Sequence, residues 1–132
     1  MKMPRVSVII PIYNVEAYIE RCARSLFNQT LHDVEYIFID DCTPDQSMMI
    51  LDALINEYHE RISLMQWRIR IERMPKNSGQ AAVRRYGMQI AQGNYITFCD
   101  SDDWMETGML REMYEKAVSE DCDVVVCDFN KE

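Results

Sequence analysis

Apolar positions fall along this chain in two alternating patterns. Short, nearly unbroken apolar runs lie at 6–12 (VSVIIPI), 34–39 (VEYIFI), 95–99 (YITFC) and 123–129 (DVVVCDF). Runs of this length, rich in β-branched and aromatic side chains, predict strands, and the lack of in/out alternation predicts burial on both faces, as in a parallel sheet. A fifth run, 67–74, sets Trp67, Ile69 and Ile71 against Arg68, Arg70 and Arg73 and reads as an edge strand with one wet face. Helical spacing separates the runs. Val15, Tyr18, Ile19, Cys22 and Leu26 predict a helix over 15–28, capped by Asn14. After a turn at 42–45, Leu51, Leu54, Ile55 and Tyr58 form a second apolar stripe. Ala81, Ala82 and Gly87 predict a third helix over 80–91 that sits close to the sheet, and Met109, Met113, Tyr114 and Ala117 a fourth over 108–119.

The resulting order, β-α-β-α-β-α-β-α-β, predicts an α/β fold with a doubly wound, mainly parallel sheet, right-handed crossovers and helices on both faces. At 132 residues, the expectation is a single domain, 1–132. In such a sheet the C-terminal strand ends share one edge, where ligands bind at the point of strand-order reversal. The unusual polar residues sit at those ends: Tyr13 and Asn14, Asp40 and Asp41, and the acidic run Asp100, Asp102 and Asp103 interrupted only by Ser101.

The acidic run closes the stretch 93–104, GNYITFCDSDDW. If strand geometry continues through it, Asp100 and Asp102 share one face and Ser101 takes the other. Crowded carboxylates repel one another and favour a compensating cation. Hard oxygen ligands at this density suit Mg2+ or Mn2+, with substrate phosphates completing the shell. Taken alone, the triplet also reads as a polar turn before a helix; its place at the end of an apolar strand favours a ligand site. Arg84 and Arg85, just after KNSG, offer positive charge for phosphate, with a solvated helix face as the plain alternative for Arg84. Neither Gly-x-Gly-x-x-Gly nor Gly-x-x-x-x-Gly-Lys-Ser/Thr occurs, which disfavours a dinucleotide enzyme and a P-loop ATPase.

A net charge of −8 argues against a general nucleic-acid binder. No apolar run is long enough to span a bilayer, and the N-terminus lacks the layout of a signal peptide. The expected location is cytoplasmic, at the inner face of the membrane if a longer parent associates with it. Five cysteines, Cys22, Cys42, Cys99, Cys122 and Cys127, include no Cys-x-x-Cys pair and are expected to be reduced and mostly buried. His32 and His59 are expected on the surface.

Together these residues resemble the inverting nucleotide-sugar glycosyltransferases of family 2, with the GT-A, nucleotide-diphospho-sugar transferase-like fold. VSVIIPIYN is similar to that family's opening strand, SLFNQT to the end of its first helix, and IFIDDCTPD to its second strand and base-binding acid. KNSGQAAVRRYG resembles its Asn-x-Gly…Ala-Arg-Asn-x-Gly segment and YITFCDSDDW its Asp-x-Asp strand. Val83 and Arg85 depart from the pattern, leaving Arg84 in register. The resemblance implies a nucleotide-sugar donor, commonly of uracil, with Pro11 and Tyr13 flanking the base and Asp41 accepting from its N–H. It implies that Asp100 contacts the ribose or the metal-bound diphosphate, that Asp102 binds Mn2+ or Mg2+, and that Arg84 meets phosphate.

The family's catalytic base and acceptor-binding half lie well past the Asp-x-Asp strand. The base is therefore expected beyond Glu132, and residues 1–132 are expected to be the donor-binding half of a longer enzyme of polysaccharide biosynthesis, inactive in transfer alone. The acceptor would be an unidentified glycan or lipid-linked sugar. An apolar patch at 124–127, left uncovered, would favour a homodimer. Glu112, Glu115, Glu120, Asp121 and Asp128 read as surface charge. Two other readings remain. A receiver-type phosphoacceptor domain also clusters strand-end aspartates around Mg2+, but places its acidic pair after the first strand. A nucleotide-binding module without catalysis fits the same residues. A nucleotidyltransferase would need a Gly-rich basic loop after 6–12, which is absent.

Overall fold

A computed structural model of the chain describes residues 3–120. Its elements are β1 (Val6–Ile12), α1 (Ile19–Leu26), β2 (Val34–Asp40), α2 (Ser47–Glu57), α3 (His59–Leu64), β3 (Arg68–Arg73), α4 (Gln80–Ile90), β4 (Tyr95–Phe98) and α5 (Met109–Ser119). The four strands form one all-parallel sheet in the order β3-β2-β1-β4. The strand expected at 123–129 and the patch at 124–127 lie outside the described residues, as do Cys122 and Cys127.

The period of two along the central strands sorts side chains to two layers. Val8, Ile10 and Ile12 of β1, with Tyr36 and Phe38 of β2, pack under α1, α2 and α5. Ile9, Ile37 and Ile39 point the other way and meet Val83 of α4. Each such fully buried side chain is worth about 1.5–3 kcal/mol. The close seat of α4 rests on Gly87, where a Cβ would come within 2.6 Å of Ile9 Cγ2. Ala81, by contrast, is exposed, so the run of small residues overstates the contact.

The first helix begins later than its spacing predicts. The backbone N–H groups of Asn14, Val15 and Glu16 donate to Thr43 Oγ1, Ser47 Oγ and Asp45 Oδ2 at 2.8, 3.3 and 3.1 Å. Asn14 adopts a left-handed φ of 55° and does not cap α1. Tyr18, counted in the apolar stripe, is instead 49% exposed. The second helical stretch continues past Tyr58 as α3, whose Ile62 packs against the core. Tyr58, Ile62 and Met65, at helical spacing, carry the signal that the stripe ending at Tyr58 left out. The carbonyls at the end of α1 are satisfied from α3, with Arg61 donating to Phe27 O at 2.8 Å and Gln29 O at 2.6 Å. β3 lies at the edge of the sheet as expected, but its faces do not divide as the alternation predicts: Ile71 is exposed, while Arg70 is half-buried and donates to Ile90 O at 2.8 Å; both histidines are exposed.

A buried polar cluster fixes where β4 enters the sheet. Fully buried Glu35 accepts from Ser7 Oγ at 2.7 Å and from the Gln92 N–H at 2.9 Å, and faces Arg70 Nη1 at 3.5 Å. Gly93 donates to Ser7 Oγ at 2.8 Å. A Cβ at Gly93 would lie 2.6 Å from the Ser7 backbone nitrogen, so only glycine allows that approach. Among the described residues, no helix is long and apolar enough to cross a membrane.

Candidate functional site

β1 pairs with β2 on one side and β4 on the other, so strand order reverses at the C-terminal end of β1. A cleft of about 210 Å³ opens there. Pro11 and Tyr13 at the end of β1, Asp41 just past β2, and Asp102 past β4 all line it. Three strand ends distant in sequence thus meet as the alternation of elements predicts.

Asp41 is the best anchored of these residues. It is 3% exposed, and its N–H extends the β1–β2 pairing by donating to Ile12 O at 3.0 Å. Asp41 Oδ1 accepts from the Ser78 N–H at 2.8 Å and Oδ2 from the Gly79 N–H at 2.9 Å. Asn77 Nδ2 donates to its carbonyl at 3.1 Å. The carboxylate therefore holds the loop that leads into α4. Each oxygen has two lone-pair sites, so these two bonds leave one on each unused.

The acidic run is a turn, not a continuation of the strand. β4 ends at Phe98, and Asp103 N–H donates to the Asp100 carbonyl at 2.9 Å. Ser101 does point away from the acids, donating to the Pro11 carbonyl at 2.6 Å. Carboxylate oxygens of Asp100, Asp102 and Asp103 fall within 4.8 Å of one another. The turn brings in Asp103, which strict alternation would have placed opposite the other two. Three hard oxygen donors at that separation fit a divalent cation such as Mg2+ or Mn2+.

Arg84, one turn into α4, does not line the cleft wall. Its Nη2 donates to Asp100 Oδ1 at 2.6 Å, and its guanidinium lies 5.7 Å from the Phe98 ring centroid. Its Nε is buried and has no hydrogen-bond partner among the described residues. Arg85 is exposed. Behind the turn, the buried sulfurs of Cys22 and Cys99 lie 3.9 Å apart. The hydrogen bond to Cys22, together with burial, pushes the Cys99 thiol well up, so it adds no further negative charge beside the acids.

Tyr18 and Gln80 also line the cleft, and the sequence pattern assigns neither of them to a site. Tyr18 was masked by its helical spacing, and Gln80 by its position as an ordinary first residue of a helix. Glu112 and Glu115 are exposed on α5, and neither lines the cleft. The bonds around Asp45 hold the loop that anchors cleft residues Asn14 and Val15. Asp45 Oδ1 accepts from Thr43 Oγ1 and Ser47 Oγ, both at 2.7 Å.

Comparison with known proteins places this geometry in a family. The family model described as glycosyl transferase family 2 matches residues 7–132. The glycosyltransferase EpsJ of Bacillus subtilis is 39% identical over 130 residues, 98% of this chain and 35% of its own length. The poly(ribitol-phosphate) beta-glucosyltransferase of Bacillus spizizenii is 35% identical over 92% of this chain and 18% of its own. The chain thus spans well under half the length of these curated relatives. Among solved structures, residues 1–349 of S. aureus TarS in complex with UDP-GlcNAc superpose with a TM-score of 0.75 at 27% identity, covering 87% of this chain and 31% of that TarS fragment. TarS has also been solved with UDP.

Proposed function

The chain belongs to glycosyl transferase family 2, and from that premise we propose that it is the donor-binding domain of an inverting, metal-dependent enzyme that uses a UDP-sugar. The observation that carries this reading is the meeting of Asp41 and the Asp100–Asp102–Asp103 turn on one cleft at the sheet's switch point. The TarS complexes with UDP and UDP-GlcNAc, at 27% identity, support uracil as the base.

In this reading, Pro11 and Tyr13 flank the base, and Asp41 accepts the imide N–H through a lone pair that the Ser78 and Gly79 amides leave over. Asp100 and Asp102 hold the Mn2+ or Mg2+ ion, with Asp103 close enough to join them. When bound, that ion supplies Lewis-acid stabilisation of the departing nucleoside diphosphate. Arg84, fixed beside Asp100, adds positive charge where the diphosphate lies; a guanidinium matches phosphate in a bidentate fork.

Inversion requires a base to take the acceptor proton, a contribution of roughly 10²–10⁴ in rate. Of the acids lining the cleft, Asp41 is committed to the loop amides and Asp102 to the metal. We assign the base to neither, and place it with the acceptor-binding part of a longer protein. The acceptor is a glycan or lipid-linked sugar, and the setting polysaccharide assembly at the cytoplasmic face of a membrane. Calorimetric titration of UDP with and without Mn2+ tests the donor site. Binding that tightens at least tenfold with Mn2+ is expected, and failure to bind UDP under either condition would reject the reading. The anomeric configuration of the sugar transferred by a longer form, read by NMR, tests inversion.

A further inference from the structure

The polar groups around the cleft divide into those the fold already uses and those it leaves available. Asp41 accepts two backbone N–H groups, and Ser101 donates to the Pro11 carbonyl. Gln80 differs. It is exposed, it lines the cleft, and its side chain makes no hydrogen bond to another described residue. Its position is nonetheless fixed. Gly79 N–H donates to Asp41 Oδ2 at 2.9 Å, and Gly79 turns the chain into α4 with a φ of 87°. Residue 80 therefore opens the helix directly beside the Asp41 carboxylate.

The orientation of a bound nucleotide follows from the strand order, given the UDP reading above on which this inference rests. The diphosphate must reach the acidic turn, on the β4 side of β1. Asp41 follows β2, on the other side of β1, and Gln80 is held beside it by the Gly79 N–H bond to Asp41 Oδ2. The ribose joins a pyrimidine at N1, next to C2. C4 lies across the ring from N1, so with N1 toward the acidic turn, position 4 faces Asp41 and Gln80. We propose that Gln80 is a specificity-determining residue that reads position 4 of the pyrimidine, donating from Nε2 to the C4 carbonyl while Asp41 accepts from N3–H. Uracil satisfies both groups. Cytosine carries an amino group at position 4 and no hydrogen on N3, so its N3 lone pair faces the Asp41 carboxylate.

The test is calorimetric titration of UDP and CDP, each with Mn2+, into the 132-residue chain and into Gln80→Ala and Gln80→Glu. Gln80 is exposed, so both variants keep the fold. Loss of one neutral hydrogen bond in Gln80→Ala weakens UDP roughly 2- to 10-fold. Gln80→Glu offers only acceptors at position 4. It weakens UDP by more than about tenfold, spares or strengthens CDP, and narrows the UDP-over-CDP preference by at least that factor. An unchanged UDP-to-CDP ratio in Gln80→Glu, with the parent binding UDP, overturns the role of Gln80 alone. A parent chain that binds neither nucleotide overturns the donor reading beneath it.

Discussion

Arg84 Nη2 and Asp100 Oδ1 lie 2.6 Å apart, an ion pair that joins the first turns of α4 to the acidic turn after β4. The arginine expected at phosphate and one of the acids expected at metal are thus already partners. The pair is more than a third exposed on the arginine side, so its own worth is modest, on the order of 1 kcal/mol or less. Its consequence for binding has two opposite signs. Arg84→Gln removes a cation competing for Asp100, so Mn2+ alone should bind several-fold more tightly. The same variant loses charge at the diphosphate, so UDP with Mn2+ should bind more weakly, by roughly tenfold. Parallel titrations of Mn2+ and of UDP with Mn2+ check both arms; movement in the same direction would contradict the shared site.

Asp102 is exposed and carries no fold contact through its carboxylate among the bonds described. Asp102→Asn should therefore melt like the parent while weakening UDP with Mn2+ by tenfold or more, since it removes a charged ligand from a hard cation. UDP without Mn2+ should be nearly unaffected. Calorimetry beside a thermal melt separates the two, and parental affinity in the variant would remove Asp102 from the metal site.

Asp41 should behave in the opposite way, as a residue whose loss is felt first in stability. Asp41→Ala strands the N–H groups of Ser78 and Gly79 beside a buried position, at a cost of about 2–4 kcal/mol. Asp41→Asn keeps one acceptor and should lose about half as much. Urea unfolding of the three proteins gives the order directly.

Asp45 sets an acid limit. Burial pushes its carboxyl up, but hydrogen bonds from Thr43, from Ser47 and from the Glu16 N–H outweigh burial and bring it down to about 2. The unfolded carboxyl titrates at about 3.9. Its contribution is thus complete above about pH 4 and is lost as pH falls toward 2, the direction for a depressed acid. Stability measured by urea from pH 5 to 2 should fall less steeply in Asp45→Asn than in the parent, over that window.

The sequence by itself determined the layers. Continuous apolar runs at β1 and β2 can be satisfied only by cover on both faces, and the arginines alternating along β3 only by an edge, so the layers were legible in the sequence. That Pro11, Tyr13, Asp41 and Asp102 would meet on one cleft was legible too, because strand ends in a parallel sheet converge whatever the loops do. What the tertiary structure alone decided lies in those loops. The amides of residues 14–16 could form helix or pair with Thr43, Ser47 and Asp45; the neighbouring loop, 29 to 32 residues distant, won. The acids after β4 could continue a strand or turn, and the 2.9 Å bond from Asp103 to Asp100 made the turn that gathers all three. Arg84's choice of Asp100, and Gln80's place beside Asp41, likewise follow from contacts between segments that no local periodicity encodes. Periodicity reports which face a residue turns to its own element, whereas a loop's conformation is set by whichever distant partner offers its backbone a better hydrogen bond than the helix or strand it leaves.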